Sequence, residues 1–226
     1  MSVRTRHAEV WPPLYGVGRA LVVGWAKAVN GYEVAGRSGI TPGRGCLVVC
    51  NHLADIDGMF VAAALPPPRT GIHLVTARHH DASPLARELL LRLGLEPVRT
   101  DGTGMAALRH CRRVLAAGGI VVIYPEGVPG YSARVQPFAE GVGWLALTPG
   151  IEVVPAAIWG SHRVMRRGLP IGRGPVRVAF GPPIDLTHLT GRRPELLEQA
   201  TAIVHARVKQ LVTSLAGKPP VRVPGT

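Results

Sequence analysis

A single α/β domain, with a mostly parallel sheet flanked by helices, is the fold class this sequence predicts, and three observations carry it. From residue 46 onward, short β-branched runs alternate with segments of helical spacing, the pattern of strands joined by crossover helices. The chain has 226 residues, 46% of them hydrophobic, which is long enough for one well-buried domain and short for two. No internal repeat, low-complexity tract or interdomain linker interrupts it.

Taken in order, residues 1–13 are polar and end in Trp11-Pro12-Pro13, which predicts no regular structure there. Residues 14–29 read as an amphipathic helix with Leu14, Val17, Leu21, Val22, Trp25 and Val29 on one side and Arg19 and Lys27 on the other. Such a segment is too short and too charged to span a bilayer and lacks the small-residue cleavage pattern of a signal peptide. A Trp-bearing apolar face opposite cations suits a helix lying among lipid headgroups; the alternative is that this face packs on the protein's own core. Expected organisation is therefore an N-terminal segment with an interfacial helix over 1–30, one domain over 31–217 and a flexible tail over 218–226.

Within the domain, strands are expected at Leu47 to Cys50, Ile72 to Ala77, Pro97 to Thr100, Ile120 to Tyr124, Val153 to Ile158 and Val176 to Phe180. Helices are expected at Met59 to Leu65, Pro84 to Leu93, Met105 to Ala117 and Val142 to Leu147. A last helix, Glu195 to Ala216, follows Pro194 and stops before Gly217 and Pro219.

The first strand runs into Cys-Asn-His-Leu-Ala-Asp-Ile-Asp-Gly, residues 50–58, where His52 and Asp57 lie five apart. Residues five apart on a helix point about 140° away from one another, so the two side chains meet only if one sits in a turn. With His52 on the strand-to-helix turn and Asp57 in the first helical turn, the carboxylate can fold back onto the imidazole. An imidazole oriented in this way takes a proton from a hydroxyl near neutral pH. Chance occurrence, or a histidine that merely caps the helix, is the competing account of so short a motif.

Three further blocks decide between them. The stretch Asn51-His-Leu-Ala-Asp-Ile-Asp57 resembles the HxxxxD motif of the glycerolipid acyltransferases, the family that includes the 1-acylglycerol-3-phosphate acyltransferases. Gly94-Leu-Glu-Pro-Val-Arg99, Tyr124-Pro-Glu-Gly127 and Val154-Pro-Ala-Ala-Ile158 resemble its second, third and fourth motifs in the same order, and the likeness covers roughly residues 31 to 187. It implies a peripheral enzyme of the cytoplasmic membrane face that moves an acyl group from acyl-CoA or acyl carrier protein to 1-acylglycerol 3-phosphate, giving phosphatidate. Neither a cofactor nor a metal is implied. His52 becomes the base and Asp57 its orienting partner, while Arg99, Glu126, Gly127 and Arg134 are the candidates for binding the acceptor.

A guanidinium at Arg99 suits phosphate oxygens, the lesser alternative being a surface arginine that merely ends a strand. Glu126 does not itself attract phosphate; it can hold an arginine or backbone amides, or bind a hydroxyl, and Gly127 lets the backbone approach closely. The family's third motif continues Thr-Arg-Ser, whereas this chain reads Val128-Pro129-Gly130, and Ala54 stands where the first motif commonly carries serine. Arg134 is the nearest residue to replace the missing charge.

The formal net charge of +12 favours anionic lipid, phosphorylated substrates or an acidic carrier protein. Nucleic acid is disfavoured by an aromatic content of 5% and the lack of a reading motif. Arg163, Arg166, Arg167 and Arg173 form a basic, Gly-rich loop that suits anionic lipid, coenzyme A phosphates or a carrier protein, or is simply solvated. His79-His80-Asp81 has no matching ligand cluster and reads as a solvated loop. Cys46, Cys50 and Cys111, in no zinc-type spacing, read as core thiols of a reducing compartment. No nucleophile elbow or P-loop occurs, which disfavours hydrolase and kinase readings.

Overall fold

A computed structural model describes residues 12–36, 40–41, 43–66, 72–76, 95–99, 104–167 and 169–217, with the side chains of 12–14, 76 and 95–99 outside the description. Its strands are β1 Glu33–Ala35, β2 Cys46–Cys50, β3 Ile72–Thr76, β4 Leu95–Arg99, β5 Ile120–Ile123, β6 Glu152–Trp159, β7 Met165–Arg166, β8 Leu169–Pro170 and β9 Arg177–Phe180. The helices are α1 Pro12–Asn30, α2 Asp57–Ala64, α3 Met105–Ala116, α4 Gly141–Ala146 and α5 Arg193–Ala216.

Among the described residues, seven strands form one sheet in the order β1-β9-β6-β2-β5-β3-β4, while β7 and β8 form a separate antiparallel hairpin. Every neighbouring pair in the main sheet is parallel except β6 with β9. The mostly parallel sheet is thus as the alternation predicts. Its centre is β2 and β5, whose residues are buried throughout. An uninterrupted apolar run suits a strand covered on both faces, where an alternating pattern would not.

The faces differ in what covers them. Val48, Cys50 and Val122 pack in one layer with Phe60 and Val61 of α2. Leu47, Val49 and Val121 pack in the other with Leu115 of α3 and the α5 stripe Val204, Val208 and Val212. Fully burying each such side chain contributes about 1.5–3 kcal/mol before chain entropy is counted. Cys46, Cys50 and Cys111 are free thiols inside these layers, and burial pushes Cys46 and Cys111 up to about 12.

Several expectations change. Helix α1 starts at Pro12, inside the segment expected to lack structure, because proline is compatible with a helix's first turn, where its missing N–H has no intrahelical acceptor. Strands β1, β7 and β8 carry too few residues to show a period. The expected helix Pro84 to Leu93, the tail 218–226 and His79-His80-Asp81 lie outside the described residues.

The structure shows which way the faces of α1 turn, which the sequence left open between lipid and core. Val17, Leu21 and Trp25 are 58%, 70% and 44% exposed, whereas Tyr15 and Ala26 are buried. Arg19, on the side opposite the apolar stripe as expected, donates from Nε to the Ala63 carbonyl at 2.9 Å. Tyr15 reaches the Ala62 carbonyl at 3.4 Å and Tyr32 the Phe60 carbonyl at 2.6 Å. Three carbonyls of α2, those of Phe60, Ala62 and Ala63, thus receive side-chain donors, Ala62 in addition to the Leu65 N–H. The helix packs on the domain and still presents an apolar stripe outward. Among the described residues, no helix is long and apolar enough to cross a membrane.

Candidate active site

Because β2, β3, β4, β5 and β6 run in one direction, the residues that follow them gather at one edge, where open α/β sheets hold their ligands. Asn51 is the first residue beyond β2 and is fully buried. Its amide donates to the Ile158 carbonyl at 3.0 Å and accepts from the Ile158 N–H at 2.9 Å, extending the β2–β6 ladder by a side chain. The chain leaves this clamp directly into His52.

There the expected fold-back is present. His52 Nδ1 lies 3.0 Å from Asp57 Oδ2, at the first turn of α2. The same oxygen accepts from the N–H groups of Leu53 at 2.6 Å and Ala54 at 2.9 Å, so the turn is wound around the carboxylate. Asp57 is fully buried while the His52 side chain keeps 15% exposure. An acceptor-only carboxylate requires the proton on Nδ1, which leaves Nε2 with a free lone pair. The His52 ring stacks on Tyr124 with centroids 4.5 Å apart.

Glu126 follows β5, the neighbour of β2, and its Oε1 accepts the His52 main-chain N–H at 3.1 Å. Among its possible roles, the one realised within the protein is holding a backbone amide. Burial pushes its carboxyl up to about 7, partly offset by the N–H groups of His52 and Gln136. Gly127 has φ +80° and its N–H closes a turn onto the Tyr124 carbonyl at 3.0 Å. A Cβ there would meet nothing within 4 Å. Expected close approach of the backbone is therefore not what the glycine provides within the protein; it provides the left-handed conformation.

Gly130, in the divergent part of the third motif, donates its N–H to the His52 carbonyl at 2.9 Å. The next residue, Tyr131, places its hydroxyl 3.2 Å from both carboxylate oxygens of Asp55, inside the first motif. Arg134 is exposed and has no partner among the described residues. Arg99 ends β4 with its side chain outside the description; the order β2-β5-β3-β4 puts it three strands, roughly 14 Å, from β2. The structure thus joins His52, Asp57 and Glu126 directly, sets Gly127 beside them and leaves Arg99 and Arg134 apart.

Sequence reasoning quoted Asn51 and Tyr124 within motif blocks without giving them a role, and missed Tyr131 and His162. His162 follows β6 with its ring edge-on to Trp159, and burial and then Arg163 hold its imidazole below the usual range while the Asp57 charge opposes them. Only Asn51 and Tyr124 carried a signal, since each stands inside a quoted motif block.

Together these features define an α/β protein with a histidine–carboxylate pair at the carboxyl edge of its sheet. The chain belongs to the Acyltransferase family, whose model matches residues 31–159. It is 26% identical over 148 residues to a chloroplastic 1-acyl-sn-glycerol-3-phosphate acyltransferase of Brassica napus, covering 62% of this chain and 40% of that protein. With a 1-acyl-sn-glycerol-3-phosphate acyltransferase of Limnanthes douglasii it shares 25% over 157 residues, covering 62% and 50%. The chain thus spans half or less of the length of these relatives. The crystal structure of the 1-acyl-sn-glycerophosphate acyltransferase PlsC of Thermotoga maritima superposes with a TM-score of 0.72 at 21% identity, covering 92% of this chain and 80% of that one.

Proposed function

We propose that the protein transfers a fatty acyl group from acyl-CoA or an acyl carrier protein to the free hydroxyl of 1-acylglycerol 3-phosphate, giving phosphatidate, at the cytoplasmic face of a membrane. The observation that carries this reading is the His52–Asp57 pair, with Nδ1 engaged by a fully buried carboxylate and the imidazole side chain 15% exposed. In the proposed reaction Nε2 takes the hydroxyl proton as the oxygen attacks the thioester carbonyl. The tetrahedral intermediate then expels the thiolate, which recovers the proton from the imidazolium, and Asp57 steadies that cation throughout. No covalent acyl-enzyme is needed. Arg99 and Arg134 are proposed to bind the acceptor's phosphate, and Glu126 and Gly127 to shape the turn beside it. Family membership and the names of the relatives support lysophosphatidate as acceptor.

A second reading, the same transfer to another lysophospholipid or glycolipid or lipid binding without turnover, is favoured by Val128-Pro129-Gly130, which supplies neither hydroxyl nor cation. Incubating the protein with labelled acyl-CoA, lysophosphatidate and a panel of lyso-lipids separates these. Labelled phosphatidate is expected, and His52→Ala lowers its rate by about 10² to 10⁴ with an unchanged thermal transition. Product from neutral acceptors alone removes the phosphatidate reading; no product with any donor favours the binding protein.

A further inference from the structure

Helix α3 carries three arginines and no acidic residue. Ala107, Cys111, Val114 and Leu115 turn into the sheet, so helical periodicity puts Arg109, Arg112 and Arg113 on the outward side, and all three are exposed. Among the described residues none of them forms an ion pair. Arg109 stands one turn from both others, a spacing at which like charges repel, and an anionic partner relieves that repulsion. The three side chains line a groove of about 670 Å³ together with Ala106, Ala116 and Trp144 of α4. The Arg112 guanidinium lies 5.1 Å from the Trp144 ring centroid, which holds it in place and leaves its N–H groups for a ligand. Arginine and tryptophan around a shallow apolar floor are the residues that carry most of the binding energy at protein interfaces.

Two features of the fold select what meets this groove. The carboxyl end of α3 lies at the amino edge of the sheet, where a Cβ on Gly45, just before β2, would strike the Leu115 carbonyl. Its amino end therefore points to the carboxyl edge that holds His52, and Arg109 stands four residues, about 6 Å, from that end. Helix α3 also packs in the layer of Leu47, Val49 and Val121, whereas α1 packs in the other layer and presents Val17, Leu21 and Trp25 outward. With that stripe at a lipid surface, the three arginines face away from the lipid. A soluble acidic body meets them instead. An acyl donor tethered to a carrier protein satisfies both constraints, since the body docks along α3 while its thioester arm reaches over the edge.

We propose that the groove of Arg109, Arg112, Arg113 and Trp144 docks an acidic carrier protein that brings the acyl thioester to His52. This rests on the acyl-transfer reading for its consequence in turnover, but not for the docking itself. Arg109→Glu with Arg113→Glu tests it in the full chain while leaving Arg112 on Trp144, and an unchanged thermal transition checks the fold. With lysophosphatidate as acceptor and no vesicles, kcat/KM for octanoyl-loaded acyl carrier protein is expected to fall about 10- to 100-fold, with that for octanoyl-CoA preserved. Arg207→Glu with Lys209→Glu reverses as many charges on α5 and leaves the carrier donor's kcat/KM nearly unchanged. Equal losses with both donors overturn the proposal in favour of the donor's phosphates, and an equal loss in the α5 variant overturns it in favour of net charge. Calorimetry with holo acyl carrier protein bearing no acyl group reads docking without turnover. Binding weakened at least tenfold by the α3 substitutions, in a protein that transfers no acyl group, upholds the groove and removes the enzymatic reading; unweakened binding, or none by the unmodified chain, overturns the groove. In sedimentation with anionic vesicles the α3 variant should lose no more binding than the α5 variant; a larger loss makes the bilayer the occupant and overturns the carrier.

Discussion

Glu126 is a carboxylate whose ionisation the fold opposes. Its raised value, about 7 against an ordinary 4.5, means the native state holds the proton more tightly than the unfolded chain does. The stability this contributes is full below about pH 4.5 and is lost as pH rises through about 7. Glutamine keeps an oxygen for the His52 N–H but has no charge to bury. Glu126→Gln should therefore gain thermal stability relative to the unmodified chain as pH rises from 5 to 8, measured as the gap between the two melting temperatures; a gap constant with pH removes the argument. The His52–Asp57 pairing was legible at this scale because a five-residue spacing admits few geometries. Asp55 and Tyr131 lie 76 residues apart, and no period or motif connects them. The same holds for the bond from Gly130 to His52.

Between elements, α1 and α2 form a unit that reaches the site. Arg19, Tyr15 and Tyr32 hold the carboxyl end of α2, and the opposite end of that short helix carries Asp57. Trp25 stacks on Phe60 with centroids 6.2 Å apart yet remains 44% exposed, so it is both packed and available. Periodicity revealed an apolar face on α1 but not which way it turns, because Tyr15 and Arg19 decide that through partners in α2. Central strands were readable for the opposite reason: their continuous apolar runs have no other stable environment. Strand β1 takes its conformation from pairing with β9, which three residues of sequence do not announce. If the outward stripe enters a lipid surface, Leu21→Ser with Trp25→Ser should abolish most flotation with anionic vesicles and leave the melting temperature within a few degrees. Undiminished flotation removes α1 from the membrane reading.

At the scale of the molecule, the proposed attachment to lipid would have two physical sources that salt separates. The formal net charge of +12 attracts an anionic surface through solvent-exposed arginines, and such attraction weakens as the Debye length falls from about 10 Å at 0.1 M to about 3 Å at 1 M. Insertion of Val17, Leu21 and Trp25 removes apolar area from water and is not screened. In that proposal these terms would assist one another, since charge would concentrate the protein at the surface and the stripe would retain it there. Binding to anionic vesicles should accordingly fall between 0.1 and 1 M salt to a residual level, and binding to uncharged phosphatidylcholine vesicles should be weak and nearly independent of salt. The Leu21→Ser, Trp25→Ser variant should retain the salt-sensitive part at 0.1 M and lose the residual at 1 M. Sedimentation with both vesicle types across this range measures each part: salt-independent binding to anionic vesicles overturns the role of charge, and a residual that survives the double substitution overturns that of the stripe.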